Sequence, residues 1–434
     1  MSYEGAVLRL LESAGAQPGD MIRVSSAGRV LEGVLIPRHE LTAADIIVLK
    51  LKNGYNVGIK TKEGDEVHLL CRKVRAQPSV PDLRADAEKP TVKLLGTGGT
   101  IASYVDYRTG AVHPALTPEQ LTGVAPELRE ICRIDSKVMY SILSEDMTVA
   151  CWEAIAEETH RALQDRHAGV VIAHGTDTMQ FTASALSFML HDLNAPVVLV
   201  GSQRSSDRPS SDARRNLLSA ARLAAYGNLG EVAVVMHSTL SDDICAIHRG
   251  TRVRKMHASR RDAFRTLNAK PLGTIGPEGI ALTEPHRGRG ASSPVLRKGM
   301  EERVALLYAY PGMHERLLQA AMRDNGVVIA GTGLGHVPSK LVPAIAQYIK
   351  AGGCAVMTTQ CLGGTVNMNV YSTGRALVKA GVISGADMLP ETAYVKLMWV
   401  LGQGDRGEEV ERMIAMNIAG EISERRGVEG GEPQ

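Results

Sequence analysis

Short apolar runs separated by segments of helical periodicity dominate the chain after Pro90, and they restrict its fold more than any other feature. The runs lie at 92–95, 138–143, 170–173, 197–200, 232–236, 304–308, 327–330 and 355–358. A helical segment is clear at 149–165, where apolar side chains recur on one face. Continuous apolar strands with intervening helices are typical of a parallel sheet that is covered on both faces. We therefore predict an α/β core, in which ligands bind beyond the carboxyl ends of the strands.

The chain before Pro90 has a different pattern. Alternating apolar and polar residues form short segments at 21–24, 29–36, 46–51, 56–59 and 67–70. Asn-Gly and Lys-Glu-Gly-Asp sequences between these segments favour tight turns. We predict a short helix over 4–14, followed by a small β-barrel.

Composition changes mark the boundaries between units. Residues 76–90 carry three prolines and several charges, which is typical of a linker. Residues 267–300 are rich in Gly, Pro and Arg, which indicates a boundary between two α/β units. Near the C-terminus, the spacing of apolar residues predicts an amphipathic helix over 406–424. The predicted parts are a small β-barrel domain at 1–76, a linker at 77–90, a larger α/β domain at 91–285, a smaller α/β domain at 286–405, and a C-terminal helix and tail at 406–434.

Composition also narrows the classes of function. Lys plus Arg is 49 and Asp plus Glu is 47, so no overall basic charge favours non-specific binding of nucleic acid. Aromatic residues make up 4% of the chain, which argues against a base-stacking surface. The six cysteines include no Cys-x-x-Cys pair, which argues against a zinc ribbon. Since we find no signal peptide and no bilayer-length apolar run, we expect a cytoplasmic protein without membrane contact. We also expect no metal site.

One predicted strand ends in the sequence His-Gly-Thr-Asp-Thr at 174–178, and a helical pattern over 179–190 follows it. This predicts a sharp turn at a helix N-terminus, where free backbone N–H groups and the helix dipole favour negative charge. A hydroxyl beside a carboxylate at such a turn suits acyl transfer, because the hydroxyl can attack and the N–H groups can bind an oxyanion. Thr and Asp are also good helix caps, so a purely structural role stays open.

A similar turn comes earlier in the chain. The sequence Gly-Thr-Gly-Gly-Thr-Ile-Ala at 96–102 directly follows the strand at 92–95, and its glycines allow close approach to a ligand. It lacks the lysine of a phosphate-binding loop and the spacing of a dinucleotide fingerprint. Two threonine turns at two strand ends favour a shared catalytic crevice over a pair of ordinary turns.

A third candidate segment is Ser-Glu-Asp at 144–146, after the strand at 138–143. Ser144 and Glu145 could hold the carboxylate and ammonium groups of an amino acid. The alternative is an ordinary N-cap for the helix at 149–165, and the sequence leaves both open.

Together, the two threonine turns resemble the two signature motifs of the L-asparaginase/glutaminase superfamily in order and spacing. The resemblance covers roughly residues 91–400. It implies an asparaginase-like two-domain core of parallel sheets, without a bound cofactor. It also implies hydrolysis of a side-chain amide through a Thr nucleophile, with an acyl-enzyme intermediate and release of ammonia.

The family's catalytic residues have matching positions in this chain. Thr100 matches the nucleophile of the first motif, and Thr176 and Asp177 match the Thr and Asp of the second. The best match for the catalytic lysine is Lys255. A lysine beside a carboxylate and a hydroxyl makes chemical sense, because its charge lowers the cost of removing the hydroxyl proton.

The resemblance also implies a set of substrate-binding residues, namely Gly99, Ser144, Glu145 and Gly175. Glu145 stands where many asparaginases have Gln. The family places a Tyr on a lid after the first motif, and the closest matching position here is His113. Tyr104 and Tyr107 lie earlier in the same segment and are alternative lid residues, while His113 could act as a base.

The N-terminal segment and the C-terminal sequence point to one branch of the superfamily. Ordinary asparaginases begin close to the first motif, whereas about ninety residues precede it here. The sequences at 359–362, 366–375, 387–388 and 396–399 add to the pattern. Over nearly its whole length the chain resembles the D subunits of archaeal-type glutamyl-tRNA(Gln) amidotransferases.

This second resemblance implies partners. In that family this polypeptide releases ammonia from an amide donor, and a separate E subunit binds the tRNA, activates Glu-tRNA(Gln) with ATP and Mg, and uses the ammonia. We therefore expect the E subunit as partner, a homodimer within a heterotetramer, and contact with tRNA mainly through that partner. The alternatives are a free-standing L-asparaginase and a non-catalytic scaffold that binds RNA or a partner.

A basic cluster at 249–261 surrounds the candidate lysine. Its members are Arg249, Arg252, Arg254, Lys255, Arg260 and Arg261. Such a cluster could contact phosphate. We favour the interpretation that it pairs with nearby acidic residues and holds Lys255 in place.

Overall fold

The N-terminal unit is a five-stranded antiparallel sheet with one helix. The structure is a computed structural model that describes residues 3–26, 28–36, 38, 43–51, 56–62, 64–72, 89–99, 101, 103–105, 112–114, 125, 127–204 and 211–423. The unit comprises α1 (Gly5–Ser13), β1 (Met21–Ser26), β2 (Arg29–Leu35), β3 (Ile46–Lys50), β4 (Asn56–Lys60) and β5 (Glu66–Cys71). Its strand order is β4-β3-β2-β1-β5, and it has its own apolar core. The strands of the predicted small barrel are thus confirmed, while the predicted linker lies mostly outside the described residues.

The larger α/β unit follows. Its helices are α2 (Leu128–Ile131), α3 (Val149–Gln164), α4 (Met179–Met189) and α5 (Ala213–Tyr226). Its strands are β6 (Thr91–Gly98), β7 (Ser103–Val105), β8 (Val112–Pro114), β9 (Arg133–Ile142), β10 (Gly169–Ala173), β11 (Leu190–His191), β12 (Val197–Val200), β13 (Val232–His237), β14 (Cys245–Arg249), β15 (Val253–Lys255), β16 (Phe264–Thr266), β17 (Gly273–Gly276), β18 (Gly279–Leu282) and β19 (Val295–Leu296).

Eight of these strands form one mixed sheet in the order β18-β17-β14-β13-β12-β10-β6-β9. The strands from β13 to β9 are parallel, which confirms the predicted parallel core. Strands β14, β17 and β18 extend it in antiparallel fashion, which the sequence did not predict. These strands are joined without intervening helices, and β17 and β18 are four residues long and each begins with glycine, so they carry no long apolar run.

The smaller α/β unit has a four-stranded parallel sheet in the order β20-β21-β22-β23. Its elements are β20 (Val304–Tyr308), α6 (Glu315–Ala321), β21 (Gly326–Gly331), α7 (Val342–Lys350), β22 (Cys354–Thr359), α8 (Ser372–Lys379), β23 (Ile383–Ser384), α9 (Pro390–Gly402) and α10 (Glu408–Ala415). Helix α9 joins the two α/β units, because Trp399 stacks on Phe188 of α4 with ring centroids 6.1 Å apart. Within the described ranges, no helix is long and apolar enough to cross a membrane.

The C-terminal helix is shorter than the predicted 406–424. It ends at Ala415, and the segment after it forms a buried ion pair instead, with Lys396 Nζ 2.6 Å from Glu421 Oε1. The Glu421 carboxylate also accepts the backbone N–H groups of Ile418 and Ala419. These bonds hold the segment in a non-helical turn against α9, which a helical-periodicity argument does not detect.

Candidate active site

The two threonine turns touch each other, backbone against backbone. They follow β6 and β10, which are adjacent parallel strands, so both turns leave the same edge of the sheet. Gly99 has φ +81°, and a Cβ there would lie 2.4 Å from the Gly175 Cα. Gly98 has φ +108°, and a Cβ there would lie 2.2 Å from the Ile142 carbonyl oxygen. Only glycine fits at either position, so Gly99 lets the two turns meet and Gly98 lets the first turn pack against β9.

The third predicted segment lies against the second turn. A Cβ on Gly175 would lie 2.6 Å from the Ser144 Cβ, and the Thr178 hydroxyl donates to the Ser144 carbonyl at 2.6 Å. Ser144 begins a single 3-10 turn and is buried, whereas Thr148 is the residue that caps α3. The N-cap interpretation of Ser144 is therefore wrong. At α4 the N-cap is Thr178, but its side chain makes no capping bond, so the turn is not explained by capping.

Lys255 completes the cluster. Its ammonium nitrogen lies 2.9 Å from the Thr176 hydroxyl oxygen and 2.7 Å from Asp177 Oδ1. The lysine side chain is 9% exposed and that of Asp177 is 69% exposed, so a largely shielded cation reaches a carboxylate that opens to solvent. A positive charge at this distance stabilises negative charge that develops on the Thr176 oxygen.

The position of Lys255 is fixed by its neighbours in β15. Lys255 pairs in register with the buried Phe264 of β16. Arg254, one residue earlier, lies 3.0 Å from the Glu391 carboxylate of α9 and donates to the Tyr308 hydroxyl of β20 at 3.3 Å. The smaller α/β unit therefore holds the strand that carries the lysine. Sequence reasoning missed this anchor, because Glu391 is far away along the chain.

The other members of the basic cluster are paired as well. Their ion pairs are Arg249 with Glu231, Arg252 with Asp387, Arg260 with Asp262, and Arg261 with Asp242. Arg252 is 2% exposed and its partner is 12% exposed, so this pair lies in the core. These ion pairs confirm the prediction that the basic cluster pairs with acidic residues of the same chain.

The remaining site predictions are only partly covered by the structure. Thr100 and Tyr107 lie outside the described residues. The backbones of Tyr104 and His113 pair directly across the β7–β8 hairpin, so the two candidates occupy equivalent positions there; their side chains are outside the description. Glu145 is exposed and forms no hydrogen bond or ion pair with the described residues. Within the described part of the chain, no His, Cys, Asp and Glu group of three or more could hold a metal ion.

Comparison with known families divides the chain in the same way as the fold. The model "Asparaginase, N-terminal" matches residues 91–287 and "Glutaminase/Asparaginase C-terminal domain" matches 303–414. A third model, "GatD N-terminal domain", matches 16–70, which contains β1 to β5 except for the last residue of β5.

Whole-chain relatives carry one name. The D subunit of glutamyl-tRNA(Gln) amidotransferase from Pyrococcus furiosus is 50% identical over 428 residues, which are 96% of this chain and 97% of that protein. The protein of the same name from Methanothermobacter thermautotrophicus is 47% identical over 430 residues, with 98% of each chain covered. Among solved structures, the thermostable L-asparaginase from Thermococcus kodakarensis has a TM-score of 0.71 at 33% identity, covering 77% of this chain and all of that one. L-asparaginase I from Vibrio cholerae has a TM-score of 0.68 at 31% identity, covering 77% and 99%.

Proposed function

The chain belongs to the family of glutamyl-tRNA(Gln) amidotransferase D subunits, and from this premise we propose that its two-turn site hydrolyses the side-chain amide of glutamine through a threonine nucleophile. The chain is the glutaminase-type subunit of a tRNA-dependent amidotransferase. The observation that supports the site is the contact of Lys255 with both Thr176 and Asp177. A free-standing asparaginase is not favoured, because the relatives match the N-terminal unit too. A non-catalytic scaffold is not favoured either, because Thr, Thr, Asp and Lys are all present.

In the proposed acylation step, the Thr100 oxygen attacks the side-chain amide carbon. A C–O bond forms, the carbonyl electron pair moves onto oxygen, and backbone N–H groups of the two turns stabilise that oxyanion. The C–N bond then breaks, the nitrogen takes the hydroxyl proton, and ammonia leaves. The product is an ester between Thr100 and the remaining glutamyl group.

In the proposed deacylation step, the Thr176 hydroxyl positions a water molecule against the ester. The water oxygen forms a new C–O bond, the ester bond between the acyl carbon and the Thr100 oxygen breaks, one water proton passes to the Thr100 oxygen, and glutamate is released. The Lys255 ammonium group, 2.9 Å from Thr176 Oγ1, stabilises the charge that accompanies these proton transfers. Asp177 holds Lys255 in place at 2.7 Å.

Asp177 also serves as a substrate-binding group in this proposal. Its carboxylate is 69% exposed, so it can accept the α-ammonium group of glutamine while it contacts Lys255. The buried Ser144 and the exposed Glu145 follow the neighbouring strand and supply further polar contacts, and Gly99 and Gly175 offer their backbone. The lid residue, among Tyr104, Tyr107 and His113, stays a prediction.

The wider assembly is part of the proposal. The relatives' names place this family in an amidotransferase complex. We propose that the partner is the E subunit, in a cytoplasmic heterotetramer built on a homodimer of this chain, and that this partner binds the tRNA. An asparaginase-type amidohydrolase needs no cofactor, and we assign ATP and Mg to the E subunit. We propose the domain boundaries at residues 76, 90, 285 and 405.

The experiment that tests this function measures ammonia release from glutamine and from asparagine. The purified chain is assayed alone and then with the E subunit, ATP and Glu-tRNA(Gln). We expect glutamine hydrolysis that rises in the full mixture, because ammonia without an acceptor is wasted. Strong asparagine hydrolysis that is indifferent to the E subunit and tRNA would contradict the proposal and indicate a free-standing asparaginase.

A further inference from the structure

A chain of hydrogen bonds runs behind the second threonine turn. The indole Nε1 of Trp152 donates to the Thr182 hydroxyl at 2.9 Å, and that hydroxyl lies 2.9 Å from His174 Nε2. His174 Nδ1 lies 2.6 Å from the carbonyl oxygen of Gly175. His174 and Thr182 are completely buried and Trp152 is 7% exposed, so these hydrogen bonds are shielded from water.

The chemistry of the groups sets the direction of each bond. An indole N–H can only donate and a carbonyl oxygen can only accept, so Thr182 receives from Trp152 and His174 Nδ1 carries a proton toward Gly175. Burial lowers the pKa of His174 to about 4, although the bond to Gly175 opposes this, so the ring is neutral near pH 7. In a neutral ring Nε2 is then the acceptor, and the Thr182 hydroxyl donates to it. One tautomer satisfies all three bonds.

At its end, this series of hydrogen bonds fixes the orientation of one peptide group. The backbone N–H of His174 donates to the Val200 carbonyl at 2.9 Å, so the residue is already anchored to the sheet. Its ring then holds the Gly175 carbonyl. In a trans peptide the C=O and the next N–H point in opposite directions, so the Thr176 N–H is directed away from the ring. Among the described residues this N–H has no hydrogen-bond acceptor.

We propose that His174, Thr182 and Trp152 form a positioning unit that fixes the Gly175–Thr176 peptide in the orientation needed for amide hydrolysis. The inference rests on the proposed function and deepens it. The three side chains act through Gly175 and are not assigned to the reacting atoms. Apolar side chains could fill the same space at little cost in stability, whereas this set of polar groups specifies one direction for the carbonyl.

The test replaces single members of the unit and measures kcat and KM for glutamine in the complex with the E subunit, ATP and Glu-tRNA(Gln). Thr182→Val keeps the shape but removes the donor to His174, and we expect kcat to fall about tenfold, as the loss of one buried hydrogen bond implies, with KM within about twofold. Thr182→Ser keeps the hydroxyl and should recover most of kcat. Trp152→Phe removes the first donor, should lower kcat in the same direction, and gives a second variant if Thr182→Val folds poorly.

The matched control is Thr159→Val. Thr159 lies in α3, is also completely buried, and its hydroxyl has no partner among the described residues, so its loss should leave kcat unchanged. Equal kcat in Thr182→Val and Thr159→Val, or an effect on KM alone, would overturn the inference. A wild-type chain that releases no ammonia from glutamine would instead overturn the proposed function.

Discussion

Gly99 and Gly175 pack so closely that a methyl group on the first would lie 2.4 Å from the Cα of the second. The two residues belong to different turns, 76 residues apart along the chain. Their contact brings the turn that contains Thr100 next to the turn that contains Thr176. The geometry of the site therefore depends on the absence of side chains as much as on the groups that react.

We predict that Gly99→Ala strongly reduces activity. Alanine is disfavoured at φ +81°, and its Cβ would collide with the backbone of Gly175, so the turns must separate. Ammonia release should fall at least about tenfold, and the strained residue should cost on the order of 1–3 kcal/mol of stability. The matched control is Gly276→Ala, where the nearest atom to a new Cβ is 3.7 Å away. Similar activities in the two variants would contradict the contact.

Lys255→Met tests the role of the lysine ammonium group. The substitution keeps most of the side-chain volume but removes the ammonium group from the Thr176 hydroxyl and from Asp177. We expect kcat for ammonia release to fall by about 10²-fold or more, the range for a residue that assists proton transfer. Lys270→Met is the control, because Lys270 is exposed and has no ion pair with the described residues. A Lys255 variant with kcat near that of this control would remove the lysine from the mechanism.

Asp177→Asn should change both kcat and KM. The carboxylate contacts Lys255 at 2.7 Å, so losing its charge weakens the positioning of the lysine as well as the proposed contact with the substrate ammonium group. The resemblance implied a catalytic Asp177 with the lysine beside it, and the structure shows that ion pair. Steady-state kinetics with glutamine measure both effects. Unchanged kcat and KM, as expected for the exposed control Asp165→Asn, would show that neither contact matters.

Acid should destabilise the fold through its buried histidines. Burial lowers the pKa of His248 to about 3 and that of His174 to about 4, against an ordinary value of 6.5. As the pH falls, these histidines are protonated in the unfolded chain before they are protonated in the folded one. Their contribution to the free energy of unfolding is therefore complete above pH 6.5, and it is lost as the pH falls toward the pKa values of the folded protein.

The histidine that lies outside the site provides the test. His248→Gln cannot take up the proton, so the loss in free energy of unfolding between about pH 7 and about pH 4.5 should be smaller than in the wild type by roughly 2–3 kcal/mol. Urea unfolding at the two pH values measures the difference. An identical loss in both proteins would show that His248 is not buried in its neutral form.

The sequence predicted the elements whose signal is local. Helix α3 begins and ends within a residue of the predicted 149–165, and each predicted apolar run coincides with a parallel strand. Strand β9 begins five residues before its predicted run, and the short parallel strand β23 was not predicted. Antiparallel strands β14, β17 and β18 were missed because their positions depend on pairing with neighbours rather than on an apolar run.

In the site, too, the residues with a local sequence signal could be predicted, whereas those that depend on long-range contacts could not. Thr176 and Asp177 could be chosen from their turn, and Lys255 from the family resemblance, and the structure brings the three together. The support behind them could not be predicted, since the pairs Arg254–Glu391 and Trp152–Thr182 join residues distant in sequence. His174 stood in the predicted motif, but only the fold reveals the groups on both of its nitrogens.

The most direct test of the account is ammonia release from glutamine by the variants Thr176→Val and Thr100→Val, assayed in the full complex. Each change removes one hydroxyl and nearly preserves shape, and the buried Thr159→Val serves as the control. The account predicts that both site variants fold like the wild type and lose activity by about 10²-fold or more, while the control stays active. Full activity in either site variant would contradict the two-threonine mechanism.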